Sequence, residues 1–356
     1  MDASFWQSKR VLVTGHTGFK GSWLSLWLTE AGADVFGFSL APDTTPNLFD
    51  DVRLETRMVS KLGDVRDLRA VETCLAEAKP QIVFHLAAQS LVRRSYRDPL
   101  ESYATNVMGT ANVLDAIRRT PSVNAVVVVT TDKVYENPEQ GTPFGEDQPL
   151  GGYDPYSSSK ACAEIVTSSY RRSFLNEVGV RVATARAGNV IGGGDWSEDR
   201  LVPDIFRKLL FGSELAIRNP DSQRPWQHVL EPLAGYLLLA KKMLTSTDDH
   251  VGAWNFGPAE ADFRTVRELT AEVERAWRDP IDWQLDAREN PHEAATLRLD
   301  SSKARHDLGW TPRLAFSDAV GLTTEWYREY KHGRDPADLC LSQIEEYRKK
   351  DAAAAA

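Results

Sequence analysis

The sequence has few cysteines and no closely spaced metal ligands. Only three cysteines, Cys74, Cys162 and Cys340, occur in 356 residues, and they lie far apart. An odd, scattered set of this kind predicts reduced thiols rather than a disulfide framework. The seven histidines form no HExxH pattern or other tight metal spacing, so we expect no metal site.

Long apolar runs and excess positive charge are also lacking. No apolar stretch reaches the ~18 residues that cross a bilayer, and no basic segment followed by an apolar block indicates a signal peptide. Asp and Glu number 51 against 42 Lys and Arg, a formal net charge of −9, which argues against binding a nucleic-acid backbone. We therefore expect a cytoplasmic protein of about two domains with neither a membrane nor a nucleic-acid partner.

Strand and helix signals alternate through the first half of the chain. Apolar runs at 11–13, 35–38, 81–86, 125–129 and 181–185 lack polar alternation, as do strands that are covered on both faces. Helical patterns lie between them, among them 106–119. Repeated strand–helix–strand units predict an α/β fold with a Rossmann-type, doubly wound parallel sheet.

The pattern changes beyond about Gly188, where glycine and proline interrupt shorter segments. We predict a Rossmann domain at 1–188 and a smaller C-terminal α/β domain at 189–350. The stretch around 226–256 is expected to return to the first domain.

Three glycines, Gly15, Gly18 and Gly21, directly follow the first predicted strand. Glycine permits a tight turn and a close approach to a pyrophosphate, which the N–H groups at the start of the next helix then face. The segment lacks the Lys-Ser/Thr pair of a Walker A loop. A dinucleotide site is therefore predicted, the alternative being a glycine-rich turn that binds nothing.

The residues after the second strand bear on the choice of dinucleotide. Ser39 stands where an acidic residue would hold the adenosine ribose, and Asp43 comes later. Neither Ser39 nor Leu40 is an arginine that could bind a 2′-phosphate, which favours NAD. Asp64 is interpreted either as a contact to the adenine or as a turn aspartate.

A Tyr156-x-x-x-Lys160 pattern places both side chains on one face of a helix. A lysine cation beside the phenol would lower the tyrosine pKa from about 10, so that the phenolate could accept a proton while hydride leaves the same carbon. Tyr327 and Lys331 have the same spacing, but their polar helix favours a solvated face.

Taken together, several motifs resemble the extended short-chain dehydrogenase/reductase family. They are 14–21, 85–89, 106–110, 130–133, 156–160 and 186–190. Further segments are similar to the nucleotide-sugar 4,6-dehydratases of that family. They are Trp6, the glycine turn, 131–133, 151–157, 192–196 and 224–229.

This resemblance implies NAD as cofactor and CDP-glucose or a related nucleotide sugar as substrate, and a product that feeds deoxysugar synthesis. It makes 1–188 the NAD-binding domain and 189–350 the nucleotide-sugar domain. A C4 epimerase, a decarboxylase or a non-catalytic NAD-binding protein stays possible. The resemblance also implies a homo-oligomer, a dimer or tetramer, that packs through the helix from Asn106 and the helix of Tyr156.

The resemblance also assigns individual residues. The cofactor positions are Gly15, Thr17, Gly18, Phe19, Lys20, Gly21, Asp64, Val65, Leu86, Ala87, Ala88, Asn106, Tyr156 and Lys160. The substrate positions are Gln89, Asn189, Trp196, Arg200, Leu201, Arg224 and His292.

Five residues receive chemical roles. Tyr156 is expected to be the base for oxidation at C4 of the sugar, with Lys160 beside it, and Thr131 to hydrogen-bond the C4 oxygen. Asp132 is the expected acid for the C6 hydroxyl and Lys133 the base for the C5 proton. The alternative is that Asp132 and Lys133 form a structural pair at the end of the strand.

Overall fold

A computed structural model describes residues 3–286, 288 and 296–355, and its centre is a seven-stranded parallel sheet. The strands in chain order are β1 (Arg10–Thr14), β2 (Asp34–Ser39), β3 (Val59–Leu62), β4 (Ile82–His85), β5 (Ala125–Val129), β6 (Arg181–Arg186), β7 (Val190–Ile191), β8 (Ala216–Ile217), β9 (Gln223–Pro225), β10 (Gln227–His228), β11 (Gly252–Asn255), β12 (Phe263–Thr265) and β13 (Gln284–Leu285). The central sheet has the order β11-β6-β5-β4-β1-β2-β3, which confirms the predicted Rossmann-type fold.

Thirteen α-helices are seen in the described part of the chain. They are α1 (Ala3–Trp6), α2 (Phe19–Glu30), α3 (Leu48–Asp51), α4 (Leu68–Ala78), α5 (Val92–Arg97), α6 (Pro99–Tyr103), α7 (Gly109–Ile117), α8 (Pro155–Tyr170), α9 (Leu201–Phe211), α10 (Leu230–Thr245), α11 (Val266–Trp277), α12 (Phe316–Lys331) and α13 (Pro336–Ala355). The helix expected at 106–119 is α7, and a π-helical segment, Ala104–Met108, precedes it.

Strand β5 shows why the sheet is covered on both faces. Its five residues are all buried, and successive side chains of a strand point to opposite faces. Val127 and Val129 join the core that also contains Trp23 of α2 and Leu233 of α10. Val126 and Val128 join a second core that includes side chains of α4 and α7. An unbroken apolar run is therefore what this position requires.

Helix α8 is fixed at its start and along its length. Asp154 caps it by accepting a hydrogen bond from Ser157 N at 2.9 Å, and Pro155 occupies its first turn. Further along, Glu164 forms a buried ion pair with Arg186 of β6, with both N···O distances 2.9 Å. Thr130 and Thr184 also donate to this carboxylate, at 2.5 and 2.7 Å. The helix is thus bound to the ends of β5 and β6.

After β6 the chain forms smaller sheets and then rejoins the central one. β7 pairs with β10, β8 with β13, and β9 with β12. β11 lies beside β6 at the edge of the central sheet. The division into domains at residue 188 stays a prediction. Among the described helices, none is long and apolar enough to cross a membrane.

Candidate active site

The turn between β1 and α2 forms a cradle that requires glycine at two positions. Gly15 has φ +77°, and a Cβ on it would lie 2.7 Å from Ala87 N. A Cβ on Gly21 would lie 2.0 Å from Gly15 O. Helix α2 begins after Gly18 without a side-chain cap, so its first N–H groups can face an anion. The cradle suits the pyrophosphate of a dinucleotide.

The ends of β2 and β3 lie beside this cradle, where the adenosine of a dinucleotide would bind. The Thr17 hydroxyl lies 2.8 Å from Ser39 Oγ and donates to Leu40 O at 2.9 Å. Asp64 accepts from Arg66 Nε at 2.8 Å, and this bond lowers the pKa of Asp64. The Asp64 carboxylate that is predicted to contact the adenine is therefore already paired with Arg66. Val65 is buried against Gly109.

The loop after β4 is tied to helix α8 through one amide. Asn106, in the π-helical segment, donates to Gln89 O at 2.9 Å and to Ser159 Oγ at 2.8 Å. Its oxygen accepts from Gln89 N at 2.9 Å. The Gln89 side chain bonds Ser102 Oγ and the backbone of Leu91. Both residues thus shape the loop that contains Leu86, Ala87 and Ala88.

Tyr156 and Lys160 are both buried at the end of β5. Burial raises the pKa of Tyr156 to about 12, although a hydrogen bond with Thr131 and the nearby charge of Arg200 oppose the shift. Lys160 donates to Val129 O at 2.9 Å, and burial lowers its pKa to about 8. Desolvation thus dominates the pKa of Tyr156 in this arrangement, and Lys160 bonds a backbone carbonyl, so the expected lowering of the tyrosine pKa by Lys160 stays a prediction.

Asp132 is a buried carboxylate whose two oxygens differ. Its Oδ1 accepts from Thr131 Oγ1 at 2.9 Å. Its Oδ2 has no hydrogen-bond partner among the described residues, and the carboxyl group packs against the Cα of Gly188. The following Lys133 is half-buried. An acid with one oxygen left for another partner is what proton transfer to a bound molecule requires.

Lys20 brings a further positive charge to this cluster. Burial lowers the pKa of Lys20 to about 8, the charges of Arg200 and Lys160 lower it further, and those of Asp132 and Asp195 raise it. The amine of the lysine in the glycine turn therefore interacts electrostatically with Asp132 and Lys160. Next to it, Phe19 is half-buried and its ring reaches Gly192.

The opposite wall comes from the segment after β7. Arg200 precedes Leu201, the first residue of α9, and its guanidinium reaches Ser90 Oγ at 3.1 Å and Asp195 Oδ2 at 3.4 Å. Asn189 has a left-handed backbone, φ +46°, and its buried Oδ1 has no partner in the described residues. Arg224 is buried on β9 and donates to Gln223 O at 2.9 Å.

Two aromatic positions lie elsewhere than expected. Trp196 is 3% exposed and packs among aromatic rings, 5.3 Å from Tyr327 and 5.6 Å from Tyr330, so this placement does not support substrate contact by its ring. Tyr327 is fully buried and donates to Asp195 O at 2.6 Å. The solvated face predicted for Tyr327 is therefore wrong, because α12 turns its aromatic side into the core.

Some predictions lie beyond the structure, and some residues were not predicted. His292 falls outside the described residues. Sequence reasoning did not single out Asp195, Ser90, Ser159 or Glu164. Only Glu164 carried a usable signal, since it follows Lys160 by one helical turn and could have been placed beside it. Within the described residues no group of His, Cys, Asp and Glu is arranged to hold a metal ion.

A Rossmann-type sheet whose strand ends meet a glycine cradle and a buried Tyr–Lys pair defines an extended short-chain dehydrogenase/reductase. The chain belongs to the GDP-mannose 4,6 dehydratase family, whose model matches residues 12–323.

Individual relatives narrow the comparison. The chain is 49% identical to CDP-glucose 4,6-dehydratase of Salmonella typhimurium over 98% of both chains. It is 31% identical to dTDP-glucose 4,6-dehydratase of Streptomyces antibioticus, over 92% of this chain and 94% of that one. The solved structure of DesIV, a dTDP-glucose 4,6-dehydratase of Streptomyces venezuelae with NAD and TYD bound, matches with a TM-score of 0.78 and 26% identity. That match covers 92% of this chain and 99% of DesIV.

Replacing Lys160 should reveal the stability that its buried charge costs. Below pH about 8 the amine is charged in the folded and unfolded states, so Lys160→Met should unfold with a higher free energy than the wild type. Between about 8 and 10.5 the folded protein has lost this proton and the unfolded chain has not, so the wild type should gain stability and the difference should shrink.

Chemical denaturation at a series of pH values measures this difference. Lys349→Met, at an exposed position, is the control and should keep the pH dependence of the wild type. A Lys160→Met protein that is less stable than the wild type at pH 7 would contradict the interpretation.

Proposed function

We propose that this protein dehydrates CDP-D-glucose to CDP-4-keto-6-deoxy-D-glucose with NAD as its cofactor. The observation that supports this most directly is the buried Asp132, with one oxygen unbonded, beside Thr131, Tyr156 and Lys133. A simple exchange of hydride at C4 needs the tyrosine but not a second acid and base. Elimination of water needs both. The 49% identity to a CDP-glucose 4,6-dehydratase supports CDP as the nucleotide.

The glycine cradle fits the cofactor. Backbone N–H groups at the start of α2 would hold the pyrophosphate, and the Thr17 and Ser39 hydroxyls would face the adenosine ribose. The Ser39 hydroxyl takes the place of the usual carboxylate, and no arginine stands at 39 or 40 to bind a 2′-phosphate. When bound, NAD would supply a reversible acceptor for a hydride from the sugar.

Tyr156 would accept the proton of the C4 hydroxyl, and Thr131 would hydrogen-bond the same oxygen. This role requires the tyrosine pKa to fall from about 12. Nearby cations lower the pKa of a phenol most strongly in a site that excludes water. Arg200 already opposes the rise, and Lys160 would have to turn from Val129 O toward the tyrosine and the nicotinamide ribose to add its charge.

Asp132 and Lys133 would carry out the elimination. A ketone at C4 makes the C5 proton acidic, and neutral Lys133 would accept it. The electrons of the C5–H bond form a C5–C6 double bond as the C6–O bond breaks. Protonated Asp132 would give its proton to the departing oxygen, so that water leaves.

The diphosphate of the substrate would lie along the wall formed by the segment after β7. Arg200 and Arg224 are the proposed anion clamps, since a guanidinium binds phosphate in a bidentate way. Asn189, with its unbonded buried oxygen, and Leu201 are proposed to line the sugar-nucleotide pocket. Gln89 would act by shaping the loop after β4. His292 is proposed only on the family resemblance.

Incubation with CDP-glucose in D₂O tests the proposal. We expect a 4-keto-6-deoxy product with deuterium at C5, because Lys133 exchanges the C5 proton with solvent before the sugar is reprotonated there. CDP-glucose should be preferred in a panel with the dTDP, UDP and GDP sugars. Tyr156→Phe should lower turnover by about 10² or more, whereas Tyr170→Phe, at the far end of the same helix, should not. An epimerised sugar, or a product that retains its C6 hydroxyl, would overturn the dehydratase assignment.

We also propose that the chain forms a homodimer through α6, α7 and α8. Leu100, Met108 and Ile165 lie on or beside these helices and are 78%, 57% and 58% exposed in the single chain. Three large apolar side chains on neighbouring helices suggest a covered face.

Light scattering tests this interface. Ile165→Glu should convert the dimer to a monomer, because it places a charge in an apolar contact, whereas Val178→Glu, at a similarly exposed site (59%), should not. A wild-type monomer at micromolar concentration would exclude the interface.

A further inference from the structure

Tyr236 of α10 buries a hydroxyl group that the fold does not use. Its side chain is fully buried, and its ring meets Phe256 edge-on at 5.6 Å. Among the described residues its hydroxyl has no hydrogen-bond partner. A buried hydroxyl without a partner destabilises a protein, and phenylalanine would fill the same space. The hydroxyl therefore calls for an explanation outside packing.

The surroundings of Tyr236 point to the reacting groups. Burial raises the pKa of Tyr236, and the proximity of Tyr156 and Asp132 raises it further. The hydroxyl therefore lies near the two groups that are assigned to proton transfer.

A chain of contacts links Tyr236 to Asp132. The Asp132 carboxyl lies against Gly188. The Gln227 amide donates to Gly188 O at 3.2 Å and to Phe256 O at 2.9 Å, and the Phe256 ring contacts Tyr236. Asp132 Oδ2 and Gln227 Oε1 are, like the tyrosine hydroxyl, buried without a partner in the described residues. The chain of contacts thus contains one unbonded donor, the tyrosine hydroxyl, and two unbonded acceptors, the Asp132 and Gln227 oxygens.

We propose that Tyr236 is a positioning residue whose hydroxyl, unbonded in this structure, donates a hydrogen bond to Asp132 Oδ2 when that carboxyl loses its proton during the reaction. The inference rests on the proposed dehydratase function. When Asp132 gives its proton to the leaving oxygen, it becomes a buried carboxylate. Thr131 already donates to Oδ1, and Tyr236 would supply the donor for Oδ2 while keeping its own proton. The carboxylate left by proton transfer is then hydrogen-bonded at both oxygens, which favours the transfer.

Tyr236→Phe tests the proposal with two substrates. With CDP-glucose we expect kcat to fall about tenfold to a hundredfold, the loss typical of a hydrogen bond to a charged group, with KM little changed. With CDP-6-deoxy-6-fluoroglucose, kcat should stay near that of the wild type, because fluoride leaves with little help from an acid. The melting temperature should stay the same or rise.

Tyr347→Phe is the matched control. Its buried hydroxyl donates to Glu231 Oε2 at 2.8 Å, away from the site, so the variant should melt earlier and keep the wild-type kcat with both substrates. Equal slowing of Tyr236→Phe on both substrates, unchanged turnover of CDP-glucose, or a lower melting temperature would each overturn the inference. A wild-type protein that fails to dehydrate CDP-glucose would instead disprove the proposed function.

Discussion

The buried Glu164 carboxylate holds the catalytic helix in place. It receives two hydrogen bonds from Arg186 and one each from Thr130 and Thr184, so all its strong acceptor directions are used. A buried charge is tolerated only when it is paired and bonded in this way, and removal of one partner from such a pair costs about 3–5 kcal/mol. Because α8 is fixed to β5 and β6 here, Lys160 and Tyr156 are fixed one and two turns earlier.

The charged groups of the site are less well satisfied than Glu164. Asp132 is bonded through one oxygen only, and Lys160 and Lys20 are buried enough for their pKa values to fall to about 8. Such groups cost folding free energy, and an active site is where a protein retains them. The fully bonded Glu164 lies one helical turn after Lys160 on the same helix. The fold thus keeps the fully bonded Glu164 network apart from the groups that are proposed to react.

Much of this arrangement could be predicted from the sequence. The apolar run of β5 indicated a strand buried on both faces, and the glycines at 15 and 21 indicated a close backbone approach. These features depend on neighbours in the chain. The direction of the Lys160 amine could not be predicted, because it depends on the Val129 carbonyl of another element. Tyr327 was misread for a similar reason: its helix is polar in composition, and only packing against Asp195 and Phe206 shows which side is buried.

Tyr156 is proposed to act at C4 of the sugar and Asp132 at C6. Following a hydrogen from C4 to C6 is therefore the most direct test. CDP-glucose carrying tritium at C4 should give a 4-keto-6-deoxy product that carries the tritium at C6. This result is expected because hydrogen removed at C4 is returned within the same closed site. Tritium that remains at C4 or passes wholly into water would contradict the account.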